Sequence, residues 1–380
     1  MTPVRVRTRP KALPLKGEGW VGVYDGRDGR RAPAARSPSP GPSPQGRGVV
    51  LFAALLVLGS AIVARATPPG SVDEATILAD AMPRTLAEYG FFADAATQVP
   101  GKGVVPYRLN VPLYSDGAEK LRFVYIPAGK QAVSMGPDLL QLPVGSALIK
   151  TFAFTENGKR RLIETRLLLH RAEGWVALPY LWNAEQTEAK LALAGARVPV
   201  TTPSGERIEY RVPNKNQCKE CHGLDGAVIP IGPKGRNLSG EWLGAWMDAG
   251  KLDRVDDGMD TMIDWDHREG WPAYLLARAY LDVNCAHCHQ PGGSASNSGL
   301  DLRLEQRDRA ALGVMKRPVA AGRGAGALLY DIVPGKPEES ILVHRMASTE
   351  PDVAMPELGK DTVDAQGLAV FRKWIAEGAK

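Results

Sequence analysis

Between residues 104 and 212 the hydrophobic positions fall in short runs rich in β-branched and aromatic residues. Such runs predict strands, and turn signals such as Asn157-Gly158 and Pro203-Ser204-Gly205 separate them. The predicted strands are Val104–Val111, Lys120–Ile126, Ala147–Thr155, Arg160–His170, Gly174–Trp182 and Arg207–Val212. Short strands joined by such turns favour an antiparallel sandwich or barrel, and we predict a β-sandwich-like N-terminal domain over residues 67–212.

After residue 213 the apolar positions recur at helical spacing instead. Helices are predicted over Ser239–Asp248, Ala273–Asn284 and Asp364–Glu377. Pro272 suits the first position of the second helix, and Gly250 suits the end of the first. The pattern predicts two mostly α-helical modules, at residues 213–270 and 271–380, so that the whole chain is an α+β multidomain protein.

The first 66 residues have a different composition. Residues 1–48 are rich in Pro, Gly, Ser and Arg, which indicates either a disordered leader or a start site assigned too far upstream. Residues 49–66 hold an apolar run followed by Ala64-Arg65-Ala66, which predicts a signal peptide and its cleavage site. The alternative is an uncleaved N-terminal anchor, although the run is shorter than the roughly 20 residues of a membrane span. Both interpretations predict export to the periplasm, and no later segment resembles a membrane span.

The net charge of +5 is unevenly distributed along the 380 residues. Residues 1–66 contain 11 of the 47 Lys and Arg but 3 of the 42 Asp and Glu. The remaining 36 basic and 39 acidic side chains give residues 67–380 a charge of about −3. A basic nucleic-acid-binding surface is therefore not expected.

All four cysteines lie in two Cys-x-x-Cys-His pentads, the pattern of covalent haem attachment. Two thiols at this spacing can add to the two vinyl groups of one porphyrin, and the adjoining histidine can bind its iron. The two sets are Cys218, Cys221 and His222, and Cys285, Cys288 and His289. The sequence thus predicts two covalently bound haem c groups.

Three other chemistries use paired cysteines. A zinc site with four cysteine ligands and two local disulfides both leave the histidine after each pair unexplained. A thioredoxin-like redox motif requires a βαβ setting, which the pattern does not show. His287 lies inside the second motif, where two neighbouring residues cannot both bind one iron, and we expect it to face solvent or to support the site indirectly.

The second haem needs a sixth iron ligand, commonly methionine. Met355 is the preferred candidate, because it lies in an irregular segment before the terminal helix and Pro356 favours an extended backbone there. Met346 lies on a predicted short helix, where core packing is the simpler role. The other candidates are Met315 and His344.

For the first haem, the candidates after His222 are Met247, Met259, Met262 and His267. Met247 is expected to be a core residue of its helix, and Met262 is the preferred ligand. This motif follows a strand and Pro213 instead of a long helix, so that an iron with an open coordination position is also possible.

Two sets of short motifs resemble known bacterial proteins. The segment Gly335-Lys336-Pro337-Glu338-Glu339-Ser340-Ile341-Leu342, with Met355-Pro356 and Trp374-Ile375, resembles the C-terminal module of bacterial c-type cytochromes. The wider pattern includes Pro106-Tyr107, Pro112-Leu113-Tyr114-Ser115-Asp116, Ile231-Gly232-Pro233-Lys234 and Ser298-Gly299-Leu300-Asp301-Leu302. Over most of residues 85–380 it resembles a family of exported bacterial proteins with a β-rich N-terminal domain and two haem motifs. The resemblance implies haem and export, and it implies no substrate.

These observations favour electron transfer between periplasmic donor and acceptor proteins over catalysis. The alternative from the enzyme class is a dihaem oxidoreductase, similar to a peroxidase, with an open first haem. A third hypothesis is a ligand-binding β-domain whose haem modules sense redox state. After signal removal we expect no membrane span and no nucleic-acid partner.

Overall fold

The computed structural model of the chain describes residues 70–319 and 321–380. The predicted leader and signal peptide therefore lie outside the described residues. The described residues belong to one compact unit. None of their helices is both long and apolar enough to cross a membrane.

The largest element is a six-stranded antiparallel sheet in which neighbours in sequence are also neighbours in space. Its strands are β3 (Val104–Tyr107), β4 (Glu119–Tyr125), β5 (Ala147–Glu156), β6 (Lys159–Arg171), β7 (Gly174–Trp182) and β8 (Ala189–Leu191). Asn157 and Gly158 both have positive φ and form the two-residue β5–β6 connection, as the sequence predicted.

Three two-stranded antiparallel sheets complete the β structure of the described residues. They pair β1 (Phe92–Asp94) with β2 (Val99–Pro100), β9 (Ala196–Thr201) with β10 (Arg207–Val212), and β11 (Gly223–Leu224) with β12 (Ala227–Val228). The prediction of antiparallel β structure is confirmed. One large sheet with small hairpins is present, and not two facing sheets of comparable size.

The described residues contain six α-helices, separated by long irregular segments. They are α1 (Glu74–Leu78), α2 (Cys218–His222), α3 (Gly240–Asp248), α4 (Ala273–Asn284), α5 (Ile341–Ala347) and α6 (Ala365–Ala376). The three helices predicted from periodicity are present as α3, α4 and α6. The prediction of mostly helical modules is wrong in extent, because turns and loops occupy most of residues 285–340.

The two faces of the large sheet pack against different partners. One face buries Phe123, Ile149 and Tyr180 in a cluster with Ile77 of α1 and Phe91. The other face packs at one end against α3, and at the other end against the β9–β10 hairpin. On α3 the buried residues are Leu243 and Trp246, whereas Met247, expected in the core, is 42% exposed.

A further core cluster lies between α4, α5 and α6. Tyr280 of α4 meets Phe371 of α6 edge to face, with ring centroids 5.4 Å apart. Trp374 and Ile375 of α6 are also buried in this cluster. Burying each such side chain contributes about 1.5–3 kcal/mol, so packing on α6 fixes the direction in which α4 approaches the second motif.

The segment between β3 and β4 connects the sheet to this helical cluster. Asp116 is buried, and its Oδ1 accepts from the backbone N–H groups of Asp361 (2.6 Å) and Thr362 (2.8 Å). The backbone N–H of Tyr114 donates to Asn284 Oδ1 at the end of α4 (2.7 Å). These bonds hold the second motif against the sheet-rich region.

Candidate functional site

The first Cys-x-x-Cys-His motif forms the five-residue helix α2. The helix is preceded by a reciprocal pair of hydrogen bonds, in which the Asn214 and Gln217 backbone N–H groups donate to each other's side-chain oxygens (3.0 and 2.9 Å). Cys218 is buried, and Cys221 and His222 are partly buried. The motif is therefore a rigid turn after β10, and not the end of a long helix.

The second motif begins where α4 ends. The Cys285 N–H still donates to Leu281 O (3.0 Å), and the His289 N–H donates to Cys285 O (2.9 Å), so that the five residues form one further turn. Asp282, in the last turn of α4, is fully buried and accepts from both Lys234 and Arg236. This ion pairing fixes the helix end from which the motif projects.

The two motifs meet in space, although about 70 residues of sequence separate them. The sulfur atoms of Cys221 and Cys288 and a ring nitrogen of His287 lie within 4.8 Å of one another. Cys288 Sγ is 3.2 Å from Glu220 O, and the Ser294 hydroxyl donates to the same oxygen at 2.6 Å. The structure thus places one thiol of each motif next to a thiol of the other.

All four cysteines are free. Burial raises the pKa of the Cys285 thiol to about 12 and also raises that of Cys218. A hydrogen bond between the two neighbouring thiols raises the pKa of Cys221, the donor, and lowers that of Cys288. Cys218 and Cys285 do not join the cluster of Cys221, His287 and Cys288, so the four sulfur atoms are not gathered around one point as a four-cysteine zinc site requires.

Both motif histidines are held through the same ring nitrogen. His222 Nδ1–H donates to Ile229 O (2.9 Å), and His289 Nδ1–H donates to Ser298 Oγ (2.9 Å). Burial lowers the pKa of both rings, that of His222 to about 3. Each imidazole is therefore neutral with its Nε2 lone pair available, which is the state that binds iron.

A cavity of about 430 Å³ lies beside the second motif. Cys285, Cys288 and His289 line it, as do Met346 and Met355. Much of the remaining lining is apolar, and it includes Leu300, Leu302, Val319, Ile341 and Leu342. The thiols, the available Nε2 and the apolar walls fit a covalently held haem, and both Met346 and Met355 line the cavity.

The loop that carries Met355 is held by a single buried amine. Lys360 Nζ donates to Met346 O (2.6 Å), Ser348 O (2.9 Å) and Met355 O (2.9 Å). The Met355 N–H donates to Arg345 O at 3.1 Å. Lys360 therefore fixes the backbone on both sides of the loop, a role for which the sequence offers no signal.

The cavity beside the first motif is much smaller, about 90 Å³. His222 lines it together with four cationic side chains, Arg122, Lys150, Arg166 and Lys234. This volume can hold part of a haem and not the whole group. Neither cysteine of the first motif is among the lining residues, so the fit to haem is weaker here and rests on the free thiols and on His222.

The structure places Met262, the predicted ligand of the first iron, elsewhere. It is buried in the helical core cluster, near Trp265, and does not line the cavity that contains His222. Its N–H donates to Arg236 O at 2.6 Å, which keeps this segment against the core. Among the described residues that line the cavity at His222, none is a methionine or a second histidine.

No family model, curated protein or solved structure matches this chain.

The cationic lining of the first cavity is the functional feature that sequence reasoning missed. The sequence contains an indication of this lining. Arg122, Lys150 and Arg166 lie on the same face of the sheet as the buried residues Val124, Leu148 and Phe152. Charges at core-facing positions of a strand are uncommon.

His287 is partly buried, and its Nδ1 has no hydrogen-bond partner among the described residues. It lies beside the thiols of Cys221 and Cys288 instead of facing solvent.

Proposed function

We propose that the chain is an exported dihaem c-type cytochrome that carries electrons between periplasmic redox partners. The observation that carries this proposal is the close approach of Cys221 and Cys288, one from each haem-attachment motif. Two groups held through these neighbouring sulfurs would be adjacent, and neighbouring redox centres favour electron exchange within one chain.

The residues around each motif have distinct roles in this proposal. Bound haem would supply reversible one-electron chemistry at each motif. Cys218 and Cys221 would anchor the first group and His222 would ligate it, and Cys285, Cys288 and His289 would serve the second. Met355 would complete the second set, because a thioether ligand raises the reduction potential. The six-stranded sheet would cover the first site or present a surface to a partner.

The arrangement of α4 and α6 supports a cytochrome c-like identity for the second module, residues 271–380. One helix leads directly into the Cys-x-x-Cys-His turn, and the C-terminal helix packs across it through Tyr280 and Phe371. Gly367 faces the Tyr280 ring, and a Cβ at this position would lie 2.6 Å from a ring carbon. The close helix crossing therefore depends on glycine at that position.

The expected magnetic signature tests whether the two groups are neighbours. Protein matured with a haem-attachment system should show spin–spin interaction between two ferric haems in its electron paramagnetic resonance spectrum. The interaction should disappear in the Cys218→Ser/Cys221→Ser variant, which retains the second haem. A wild-type spectrum equal to the sum of two isolated ferric haems would contradict the proposed arrangement.

A dihaem oxidoreductase is the second candidate, because the described lining of the cavity at His222 contains no methionine or second histidine. An enzyme needs an open coordination position near polar groups, and Lys150 and Arg166 provide polar groups there.

Carbon monoxide separates the two candidates. A pure carrier needs no open iron position, so the reduced protein should then bind little carbon monoxide at neutral pH and show no appreciable peroxidase turnover. Stoichiometric binding at one haem in wild type, lost when Cys218, Cys221 and His222 are replaced and retained in Met355→Ala, would favour the oxidoreductase.

A further inference from the structure

One row of the large sheet carries three cations on adjacent strands. Arg122 of β4 is directly paired with Lys150 of β5, and Lys150 is directly paired with Arg166 of β6. Residues paired in this way place their side chains on the same face, a few ångströms apart. Like charges directly opposite each other destabilise a sheet, so this row needs a compensating anion.

Among the described residues, only one of these three cations has an acidic partner. Glu164 is fully buried and pairs with Arg166, and it also accepts from the Tyr210 hydroxyl at 2.8 Å. Within the described residues, Arg122 and Lys150 form no ion pair. Asp282 also lines this cavity, but its carboxylate is already shared between Lys234 and Arg236.

Arg122 is the clearest sign of a missing partner. It is 9% exposed, one guanidinium nitrogen donates to Lys120 O at 3.2 Å, and the other terminal nitrogen has no partner. Leaving a buried charged donor unpaired costs more than the ~1–3 kcal/mol of a neutral group. Burial, followed by the neighbouring Arg166 and Arg122, also lowers the pKa of Lys150 to about 7.

The row opens into the cavity that contains His222. Its volume of about 90 Å³ has room for roughly a few water molecules, and hence for a carboxylate group. Arginine and lysine in the lining of a small cavity provide the charge-assisted donors that a carboxylate accepts.

We propose that Arg122 and Lys150 bind a carboxylate group in the cavity beside His222. This group is either a propionate of the haem attached at Cys218 and Cys221 or a free small carboxylic acid, and the first source rests on the proposed function. The anion balances the two unpaired cations, and Arg166 remains paired with Glu164.

The test compares haem-loaded wild type with Arg122→Gln and Lys150→Gln. A matched control is Lys190→Gln on β8, because this lysine is 71% exposed in its side chain and β8 is two strands away from β6 in the sheet. The pyridine haemochrome count is measured first, and then both reduction potentials with and without added acetate. A missing haem therefore counts against the proposed function and is seen before the carboxylate site is assessed.

If the carboxylate is a propionate, each variant should shift the reduction equilibrium of one haem about tenfold toward the ferric form, because a nearby positive charge is lost. Acetate should then have no effect. If it is a free acid, acetate should raise the thermal unfolding midpoint of wild type saturably, and the variants should lose this response. Arg122→Lys keeps the charge and should restore wild-type behaviour. Unchanged potentials in both variants, together with no acetate response in wild type, would overturn the proposal.

Discussion

Replacing Met355 with alanine is expected to lower the reduction potential of one haem and to abolish the near-infrared band of thioether-to-ferric-iron charge transfer. The Met355 side chain lines the cavity that also contains Cys285, Cys288 and His289, and its loop is fixed by Lys360. Axial ligands tune haem potentials over roughly 0.8 V, so losing the thioether should produce one of the largest shifts available by mutation. Spectroelectrochemistry of the loaded protein measures both effects.

Met346→Ala is the matched control, because Met346 lines the same cavity from the neighbouring helix α5. It is 7% exposed and belongs to the helical core cluster, so its loss should reduce stability by about 2–5 kcal/mol. The near-infrared band should remain. If Met346→Ala removes the band and Met355→Ala does not, the ligand assignment is wrong.

Asp282→Asn is expected to lower the free energy of unfolding by about 3–5 kcal/mol, because it removes the only fully buried carboxylate from the ion pairs that Lys234 and Arg236 form among the described residues. The Asp282 carboxylate is 0% exposed and is bonded to Lys234 Nζ at 3.0 Å and to a terminal nitrogen of Arg236 at 2.9 Å. Its position three residues before Cys285 means that the second motif should become mobile as well. Urea unfolding of the loaded protein gives the change in stability.

Asp138→Asn provides the control for that measurement. Asp138 also pairs with Arg236, at 3.0 Å, but its side chain is 64% exposed, so the loss should be below about 1 kcal/mol. Equal losses in the two variants would show that burial of Asp282 is not the source of the effect.

The same interaction predicts a pH dependence. Burial raises the pKa of Asp282, but Lys234 and Arg236 together outweigh it, and the folded-state pKa is lowered. The contribution to stability is therefore complete above the unfolded pKa of about 3.9 and is lost as pH falls through the lower folded value. Between pH 5 and 8 the stability difference between wild type and Asp282→Asn should stay nearly constant.

Local pattern was sufficient to locate most regular elements. The bounds of β7, β10 and α4 agree with the strands and helix predicted from periodicity and turn residues. The β5–β6 connection follows directly from Asn157-Gly158, since both residues adopt positive φ there. These features depend on contacts within a few residues, which is the range over which a sequence pattern carries information.

Features that depend on distant contacts were not predictable from the pattern. The approach of Cys221 to Cys288 depends on α4 packing against α6 and on the Asp116 bonds to residues 361 and 362. Met262 was preferred as a ligand on its sequence position, and the structure places it in the helical core cluster instead. What a residue contacts depends on the strand that pairs with it and on the segment that faces it. The local pattern of polar and apolar positions specifies neither of them.

If each Cys-x-x-Cys-His motif holds one haem, a pyridine haemochrome assay on mature protein made with a haem-attachment system should show it most directly. The expected result is two haems per chain in wild type, and one in each of the Cys218→Ser/Cys221→Ser and Cys285→Ser/Cys288→Ser variants. Parallel metal analysis should give two irons and no zinc. One haem per wild-type chain, or zinc in place of iron, would contradict the account.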